Sequence, residues 1–438
     1  MQWIPNILFA IILIAGIYYF VSNVKKLIRN IQLGKQVDRS DNTSERWKNM
    51  IKIALGQSKM VRRPVSGLLH IVVYLGFIII NVEVLEIILD GLLGTHRLFL
   101  PILGTSVYGF LIGTFEILAV LVFAAVVVFW IRRNVIEISR FLSKEMTSWP
   151  KNDGNNILYF EMVLMSLFLI MNASDVDLQE AGVGNVISQF IHPLFLNLST
   201  ETMHLVERIA WWLHIVGILI FLNYLYYSKH LHILLAFPNT FYANLKPKGY
   251  FPNNKTVTNE VKMMLDPNAD PYATPDTATD AEPEKFGASD ATDLSWVQLM
   301  NAYTCTECGR CTSVCPANQT GKELSPRAIM MKTRDRVEEI GKNIDQNKGV
   351  FEYDGKQLLG EDYITQEEIW ACTTCNACVE ECPVNIDPLS IIMEMRQYLV
   401  MEQSAAPQEL NAMMTNVENN GAPWQYNQMD RLNWVEEE

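Results

Sequence analysis

The chain of 438 residues is 49% hydrophobic yet carries a formal charge of −13. That pairing is too apolar for an ordinary acidic soluble enzyme, and it resolves into two unlike halves. Residues 1–249 hold 21 Lys+Arg against 16 Asp+Glu, whereas the remainder holds 14 against 32. The first half reads as membrane-embedded and the second as an acidic soluble part, which argues against nucleic acid as a partner. All 8 cysteines lie in the second half. This excludes a disulfide-rich secreted framework and points to metal chemistry in a reducing compartment.

Five apolar stretches, at 3–24, 66–90, 105–131, 157–173 and 208–228, are candidates to cross a hydrocarbon core of about 30 Å. Lys and Arg crowd the connections at 25–63 and 132–156, whereas those at 91–104 and 174–207 carry only Arg97. The positive-inside rule then predicts a multi-pass protein of the cell inner (cytoplasmic) membrane, with the N-terminus outside and the C-terminal part cytoplasmic. Lys25, Lys26 and Arg29 follow the first span and no basic region precedes it, so it reads as a retained anchor. The segment 44–63, with Trp47, Met50, Ile51 and Ile53 among basic residues, reads as an amphipathic helix on the cytoplasmic face.

His70 begins the second span, and His214 and His232 bracket the fifth. If that span continues as one helix, the eighteen residues from His214 to His232 make five turns, about 27 Å, and share one face. A transmembrane four-helix cytochrome b needs ligands stacked in this way, each haem iron taking a histidine from two facing helices. His70 and His232, at the same depth, are therefore read as the ligands of a haem b. His230 competes, pointing about 160° from His214 on a continuous helix. At the outer level the second span offers only Ile80 and Asn81, so a second haem would need His214 together with His204, His192 or His96, or would have an open or water-filled site. One haem is expected and a second is left open. Glu83 and Glu116 lie within spans, and with His214 they are read as lining a quinone pocket and exchanging protons there. Glu86, Asp90 and Glu161 read as interfacial groups.

Residues 252–292 are rich in Pro, Asn, Asp and Thr and read as a linker. Beyond it, CTECGRCTSVCP at 305 and CTTCNACVEECP at 372 each have the spacing C-x2-C-x2-C-x3-C-P. In bacterial ferredoxins of that spacing three cysteines hold one [4Fe–4S] cluster and the fourth crosses to the other. Carried onto this chain, one cluster takes Cys305, Cys308, Cys311 and Cys382, and the other takes Cys372, Cys375, Cys378 and Cys315. Zinc, the alternative for C-x2-C pairs, does not use a fourth cysteine followed by Pro in each copy. Between the motifs, Ser325 to Ile340 reads as a helix with Pro at its start. Its surroundings include Lys322, Arg327, Lys332, Arg334 and Arg336, which would offset a cluster's charge, meet an acidic partner or simply be solvated.

These segments carry a resemblance. CTECGRC, CPANQTGKELSPR and IWACTTCNACVEECPVNIDPLSIIMEMRQYLV resemble the ferredoxin-type part of the heterodisulfide reductase and glycolate oxidase iron–sulfur family. GQSKMVRRPVSGLLH around His70 and WWLHIVGILIFLNYLYYSKHLHILLAFPNTFY over the fifth span resemble the respiratory nitrate reductase gamma-like cytochrome b domain. Together, over nearly the full chain, they are similar to the N-terminal part of membrane electron-transfer flavoprotein:menaquinone oxidoreductases. The expected fold is an all-α membrane bundle of about five transmembrane helices, cytochrome b type, fused to a mainly α-helical dicluster [4Fe–4S] ferredoxin-like domain. The expected divisions are 1–249 for the membrane domain, 250–292 for the linker, 293–400 for the two-cluster domain and 401–438 for a partner-docking tail.

The resemblance departs in two places. The second span lacks the second histidine of two-haem relatives, and no CCG motif of the larger relatives occurs in this sequence. A separate CCG-domain iron–sulfur subunit, an electron-transfer flavoprotein or a dehydrogenase is therefore the expected partner. No G-x-G-x-x-G opens a helix, so flavin or nicotinamide would come with that partner. The expected function is an electron-transfer subunit of a quinone-linked oxidoreductase, working between a cytoplasmic redox partner, two [4Fe–4S] clusters, haem b and menaquinone. By resemblance the direction runs from flavoprotein to menaquinone. The alternatives are a quinol-oxidising subunit feeding a disulfide or sulfur-compound reductase, and a membrane redox sensor or assembly scaffold.

Overall fold

The structure, a computed structural model, describes residues 3–251, 253–266 and 285–436. The apolar runs form five long helices, α1 (Ile4–Gln32), α3 (Pro64–Leu93), α4 (Phe99–Asn134), α5 (Trp149–Ser174) and α6 (Thr200–Tyr224), with the short α2 (Thr43–Met50) after the first. All five are long and apolar enough to cross a membrane. Most of them extend beyond the apolar stretch that signals them, because once nucleated a helix propagates into polar flanks at little cost. Pro64 starts α3, where its missing N–H has no helical partner to lose. Gly94 closes α3 in the left-handed region, its N–H reaching Asp90 O at 2.8 Å. The Ser199 hydroxyl caps α6 by accepting from Thr202 N. A kink at Gly104, φ +75 and ψ 161, bends α4 near its start.

In the bundle α3 packs on α4, α4 on α5 and α5 on α6, while α1 closes the ring between α3 and α6. The α3–α4 approach depends on Gly76, where a Cβ would overlap Val122. Phe9, Tyr108, Ile112, Phe168 and Trp211 fill the interior, with the Phe9 and Trp211 rings 5.4 Å apart. Ile11, Ile14, Leu68, Phe110 and Val163 stand exposed on the outside, as lipid-facing helix surfaces require.

At the α3–α4 turn the chain folds Arg97 inward, φ +55. Its guanidinium donates to Glu83 Oε1 at 2.9 Å, Asn172 Oδ1 at 2.7 Å and Asp175 Oδ2 at 3.1 Å. A buried cation is tolerable only with such partners. Around it Glu86 accepts from Phe99 N and the Tyr108 hydroxyl, and Asp90 accepts from Thr95, Arg97 N and Leu98 N. Glu86 and Asp90 are therefore not solvated interfacial groups. They are buried acceptors for the turn that folds back over the helix ends. Glu161, also read as interfacial, is buried as well.

The α6 ladder stops at Tyr224. A 3-10 turn (Leu225–Tyr227), extended Ser228 at φ −114 and ψ 149, and a second 3-10 turn (Lys229–Leu231) precede α7 (His232–Phe241). This overturns the expected single helix from His214 to His232. The break is stable because other acceptors replace the lost ladder. Asp153 of α5 accepts from the Tyr224 hydroxyl at 2.6 Å and from Lys229 N at 3.0 Å, and Ser228 Oγ accepts from His230 N at 3.0 Å. The segment expected as an amphipathic helix is α2, a π-helical turn (Ile51–Leu55) and a 3-10 turn (Met60–Arg62). It docks on α7, with Trp47 and Phe241 rings 5.4 Å apart and buried Arg46 donating to Phe241 O and Ala243 O.

Within the expected linker, α8 (Lys255–Leu265) is helical, and residues 252 and 267–284 lie outside the described residues. The linker reading fails over 285–292, where Ala288 and Ala291 are buried in a second core. That core joins α9 (Trp296–Thr304), α10 (Pro326–Gln346) and α11 (Pro388–Met401) through Leu299, Ile329, Ile340, Ile391 and Met395. The end of α1 belongs to it too: Leu27 is buried there, and Lys35 exchanges backbone hydrogen bonds with Leu294 and Trp296 at 2.8 and 3.1 Å. Two of the basic residues of α10 point inward and are fully buried. Arg327 pairs with Glu145 at 2.8 Å, and Arg336 holds Asp290 and Asp354 at 2.7 and 2.6 Å. Beyond α11, α12 (Gln408–Asn420) buries none of its residues.

Stability predictions follow from these buried pairs and from an exposed pair as control. Arg97→Ala strands buried carboxylates and costs about 3–5 kcal/mol, read as a lowered thermal midpoint of the solubilised protein. Lys48→Ala, at an exposed pair with Glu45, leaves the midpoint nearly unchanged. The Asp354 carboxyl is held below its ordinary range, chiefly by hydrogen bonding to Arg336 and against the opposing effect of burial. A carboxylate depressed in the folded state stabilises above its unfolded pKa of about 4 and loses that contribution as pH falls through the folded value. The midpoint difference between the native chain and Asp354→Asn is accordingly present at pH 6 and shrinks towards pH 3.

Candidate redox-cofactor site

The two cysteine loops repeat one backbone shape. Left-handed residues stand two and four positions after the first cysteine of each, Glu307 and Gly309 at φ +54 and +70, Thr374 and Asn376 at φ +56 and +59. Such turns aim successive N–H groups into the loop and make a nest for anionic centres. Thr374 N and Ile386 N point at the sulfurs of Cys372 and Cys382, at 3.4 and 3.3 Å. All eight cysteines are free of disulfides.

Cys305, Cys308, Cys311 and Cys382 line one cavity with Gly309 and Ile386, and Cys378 of the second motif also reaches it. Cys315 neighbours Cys372 and Cys378 closely enough to raise both thiols, after the larger effect of burial. The fourth cysteine of each motif thus sits beside the other motif. Burial pushes the Cys305 thiol up to about 12 and the Cys382 thiol up to about 11. Bare thiols here would stay protonated, whereas iron deprotonates its sulfur ligands. The donor set and the nests fit [4Fe–4S] clusters.

This site is locked to the membrane helices through residues inside the first cysteine motif. Buried Glu307 accepts from Lys229 Nζ at 2.5 Å and from Arg334 Nη1 at 2.9 Å. Burial alone would raise the Glu307 carboxyl, but Lys229 and Arg334 hold it below its ordinary range. Arg310, also buried, donates to the backbone oxygens of Lys59 and Met60 at the start of α3. Arg63 meets Glu381 of the second motif at 2.6 Å.

At the same end of the bundle the rings of His70 and His232 face each other with centres 6.4 Å apart. Two imidazoles sharing one metal through bonds of about 2 Å put their ring centres about 6 Å apart. His232 Nδ1 lies 3.1 Å from Lys229 O, which leaves Nε2 free for a metal. His70 Nδ1 is buried with no partner. These features fit a haem held between them. His230 packs between Phe221 and His232, 5.4 Å from each. The broken helix removes the angular argument for preferring His232, and the facing of His232 and His70 supplies another.

The outer level is different. His214 is buried beside Phe168, with Nδ1 unpartnered. His204 is exposed, ten residues away on the same helix and about 15 Å along it. His192 Nδ1 lies 2.8 Å from Ala173 O, and His96 turns to Asp175 at 3.4 Å. Among the described residues the structure pairs none of the three with His214. Glu116 is filled by Asn172 Nδ2, Ile187 N and Ser188 N at 3.1, 2.7 and 3.0 Å. These contacts fasten the 185–188 turn to α4. Glu83 gives one oxygen to Arg97 and keeps Oε2 buried and unpartnered. Sequence reasoning misses the roles of Arg97, Lys229, Glu307 and Arg310. Their signal is present only as a lone basic residue in an outer connection and as charges inside or beside the motifs.

The fold and the paired cysteine loops define a membrane iron–sulfur protein. Residues 299–383 match the family described as 4Fe-4S dicluster domain. The chain is similar to the probable iron-sulfur-binding oxidoreductase FadF of Bacillus subtilis, 28% identical over 98% of this chain and 61% of that protein. It is also similar to the EtfAB:quinone oxidoreductase of Syntrophomonas wolfei, 25% identical over 100% of this chain and 60% of that protein. Over 34% of its length it is 31% identical to the probable membrane-anchored ferredoxin of Chromohalobacter salexigens, covering 24% of that protein. The chain is thus a relative of these proteins and carries a 4Fe-4S dicluster domain. It spans about 60% of the length of the first two. No solved structure matches it.

The placement of Cys382 beside the first motif and of Cys315 beside the second has a testable consequence. Cys315→Ser and Cys372→Ser each lose the same iron–sulfur signal in low-temperature paramagnetic resonance, and Cys308→Ser and Cys382→Ser each lose the other. Every variant keeps roughly half of the iron and labile sulfide of the native chain.

Proposed function

We propose that the chain is the membrane subunit of a quinone-linked oxidoreductase, carrying electrons between a redox partner at the cysteine loops and menaquinone in the bilayer. The observation that carries this reading is the facing His70–His232 pair at the bundle end that Glu307, Arg310 and Arg63 tie to the cysteine loops. When bound, [4Fe–4S] clusters and haem b supply one-electron chemistry. Cys305, Cys308, Cys311 and Cys382 would hold one cluster and Cys315, Cys372, Cys375 and Cys378 the other. His70 and His232 would hold the haem.

The chain's own residues position and insulate. Lys229 O fixes the His232 ring. Towards the opposite end of the bundle, Glu83 Oε2 and His214 Nδ1 are buried, unpartnered and able to hold a proton, which favours them over Glu116 as the groups that exchange protons with quinone. The cysteine loops face the cytoplasm in this reading, in keeping with the basic connections at 25–63 and 132–156. The partner is an electron-transfer flavoprotein, a dehydrogenase or a CCG-domain protein. The tail beyond α11, with Met413, Met414, Val417 and Trp424 exposed, gives it an apolar surface to contact.

The purified chain is expected to show one haem b by pyridine haemochrome. His70→Ala and His232→Ala each lose it and His230→Ala keeps it, while all three retain the iron and sulfide of the cysteine loops. Retention of haem in both His70→Ala and His232→Ala would contradict the ligand assignment.

A further inference from the structure

At the bundle end beside the cysteine loops, a cavity of about 450 Å³ opens between the start of α3, the end of α4 and the loop that follows it. Its charged lining is entirely cationic: Arg62, Arg63, Arg132 and Arg140, with hydroxyls from Ser66, Ser139 and Ser313. Two of these arginines are committed internally, Arg62 to Glu380 at 2.6 Å and Arg63 to Glu381 at 2.6 Å. The other two are not. Among the described residues no carboxylate reaches ion-pair distance of Arg132 or Arg140. Arg132 touches only the Ser66 hydroxyl, at 3.4 Å, and Arg140 Nε is buried without a partner. Burial pushes the Arg140 guanidinium below its ordinary range; the nearby Cys308 sulfur opposes that shift and the cations of Arg63, Arg310 and Arg132 add to it. Like charges gathered with so little internal compensation call for an anion. The N-terminus of α3, a thirty-residue helix, adds its own positive end at the same place.

The surface around the cavity identifies the kind of anion. Val61, Val65 and Leu68 on one side, and Val135, Ile136 and Leu142 on the other, are exposed apolar side chains. A free anion gains nothing from such a rim. A molecule with a phosphate head and apolar chains satisfies both surfaces at once, and the site lies where a membrane-crossing helix leaves the hydrocarbon.

We propose that this cavity binds the phosphate headgroup of an anionic phospholipid, with Arg132 and Arg140 as its direct donors and the exposed rim against its acyl chains. Guanidinium forks suit bidentate contact with phosphate oxygens. The bound lipid brings to the start of α3 and the end of α4 the countercharge that Arg132 and Arg140 lack in ion pairs.

The test uses the purified full chain in detergent, with phosphatidylglycerol, phosphatidylcholine and inorganic phosphate as probes and native mass spectrometry as the readout. The native chain is expected to retain phosphatidylglycerol in preference to phosphatidylcholine, and millimolar inorganic phosphate is not expected to displace it. The Arg132→Gln/Arg140→Gln double variant loses that retention by at least about tenfold, whereas Arg132→Lys/Arg140→Lys, which keeps the charge, retains the preference. Thermal midpoints of both variants show that the loss is not unfolding. Unchanged lipid retention in the Gln variant, or displacement of the lipid by inorganic phosphate, overturns the proposal. So does loss of haem absorbance with the lipid still bound, which would assign these arginines to the haem carboxylates.

Discussion

The Glu307 carboxylate is the contact on which the arrangement turns. It sits inside the first cysteine motif and is buried between Lys229 and Arg334. A charge in that position is tolerable only while both cations stay in place. Lys229 is held in turn by Asp153, which accepts from its backbone N–H, and it lies in the break between α6 and α7. One buried acid thereby connects three things that sequence separates: the cysteine loop, the end of a membrane helix and the turn that presents His230 and His232.

The same logic recurs along the junction. Arg310 reaches out of the first motif to the backbone at the start of α3, and Arg327 reaches to Glu145 and Arg140 O in the α4–α5 connection. Asn239 of α7 donates to Val384 O beside the second motif. Each joins a long side chain or a buried amide on one part to a fixed acceptor on the other, and such contacts set orientation more than they add net stability. The result is a cysteine-bearing part that is seated on the helix ends. For electron transfer that rigidity is the useful property, since carriers must stay at a fixed spacing.

Most of the architecture was legible in the sequence. Length and apolarity predict the five long helices, and the repeated cysteine spacing predicts the paired loops. What sequence could not give were consequences of burial. A helical period cannot foresee that Asp153 and Ser228 satisfy a broken α6, so the face expected to carry both His214 and His232 does not form, even though His232 still meets His70. Glu86 and Asp90 read as interfacial from their position in the span, yet both are spent on closing the turn after α3, and only the contacts of a folded loop reveal that. The basic residues of α10 were ambiguous for the same reason: Arg327 and Arg336 are interior struts whose partners lie far away in the chain.

The central claim is that the cysteine-loop centres and the quinone exchange electrons by way of the His70–His232 end of the bundle. The most direct measurement is the oxidation of the pre-reduced iron–sulfur centres by a menaquinone analogue, followed by rapid-freeze paramagnetic resonance on the purified full chain. The account predicts rapid loss of the reduced signal in the native chain and a persistent signal in His70→Ala. Equal rates in the two proteins would contradict it.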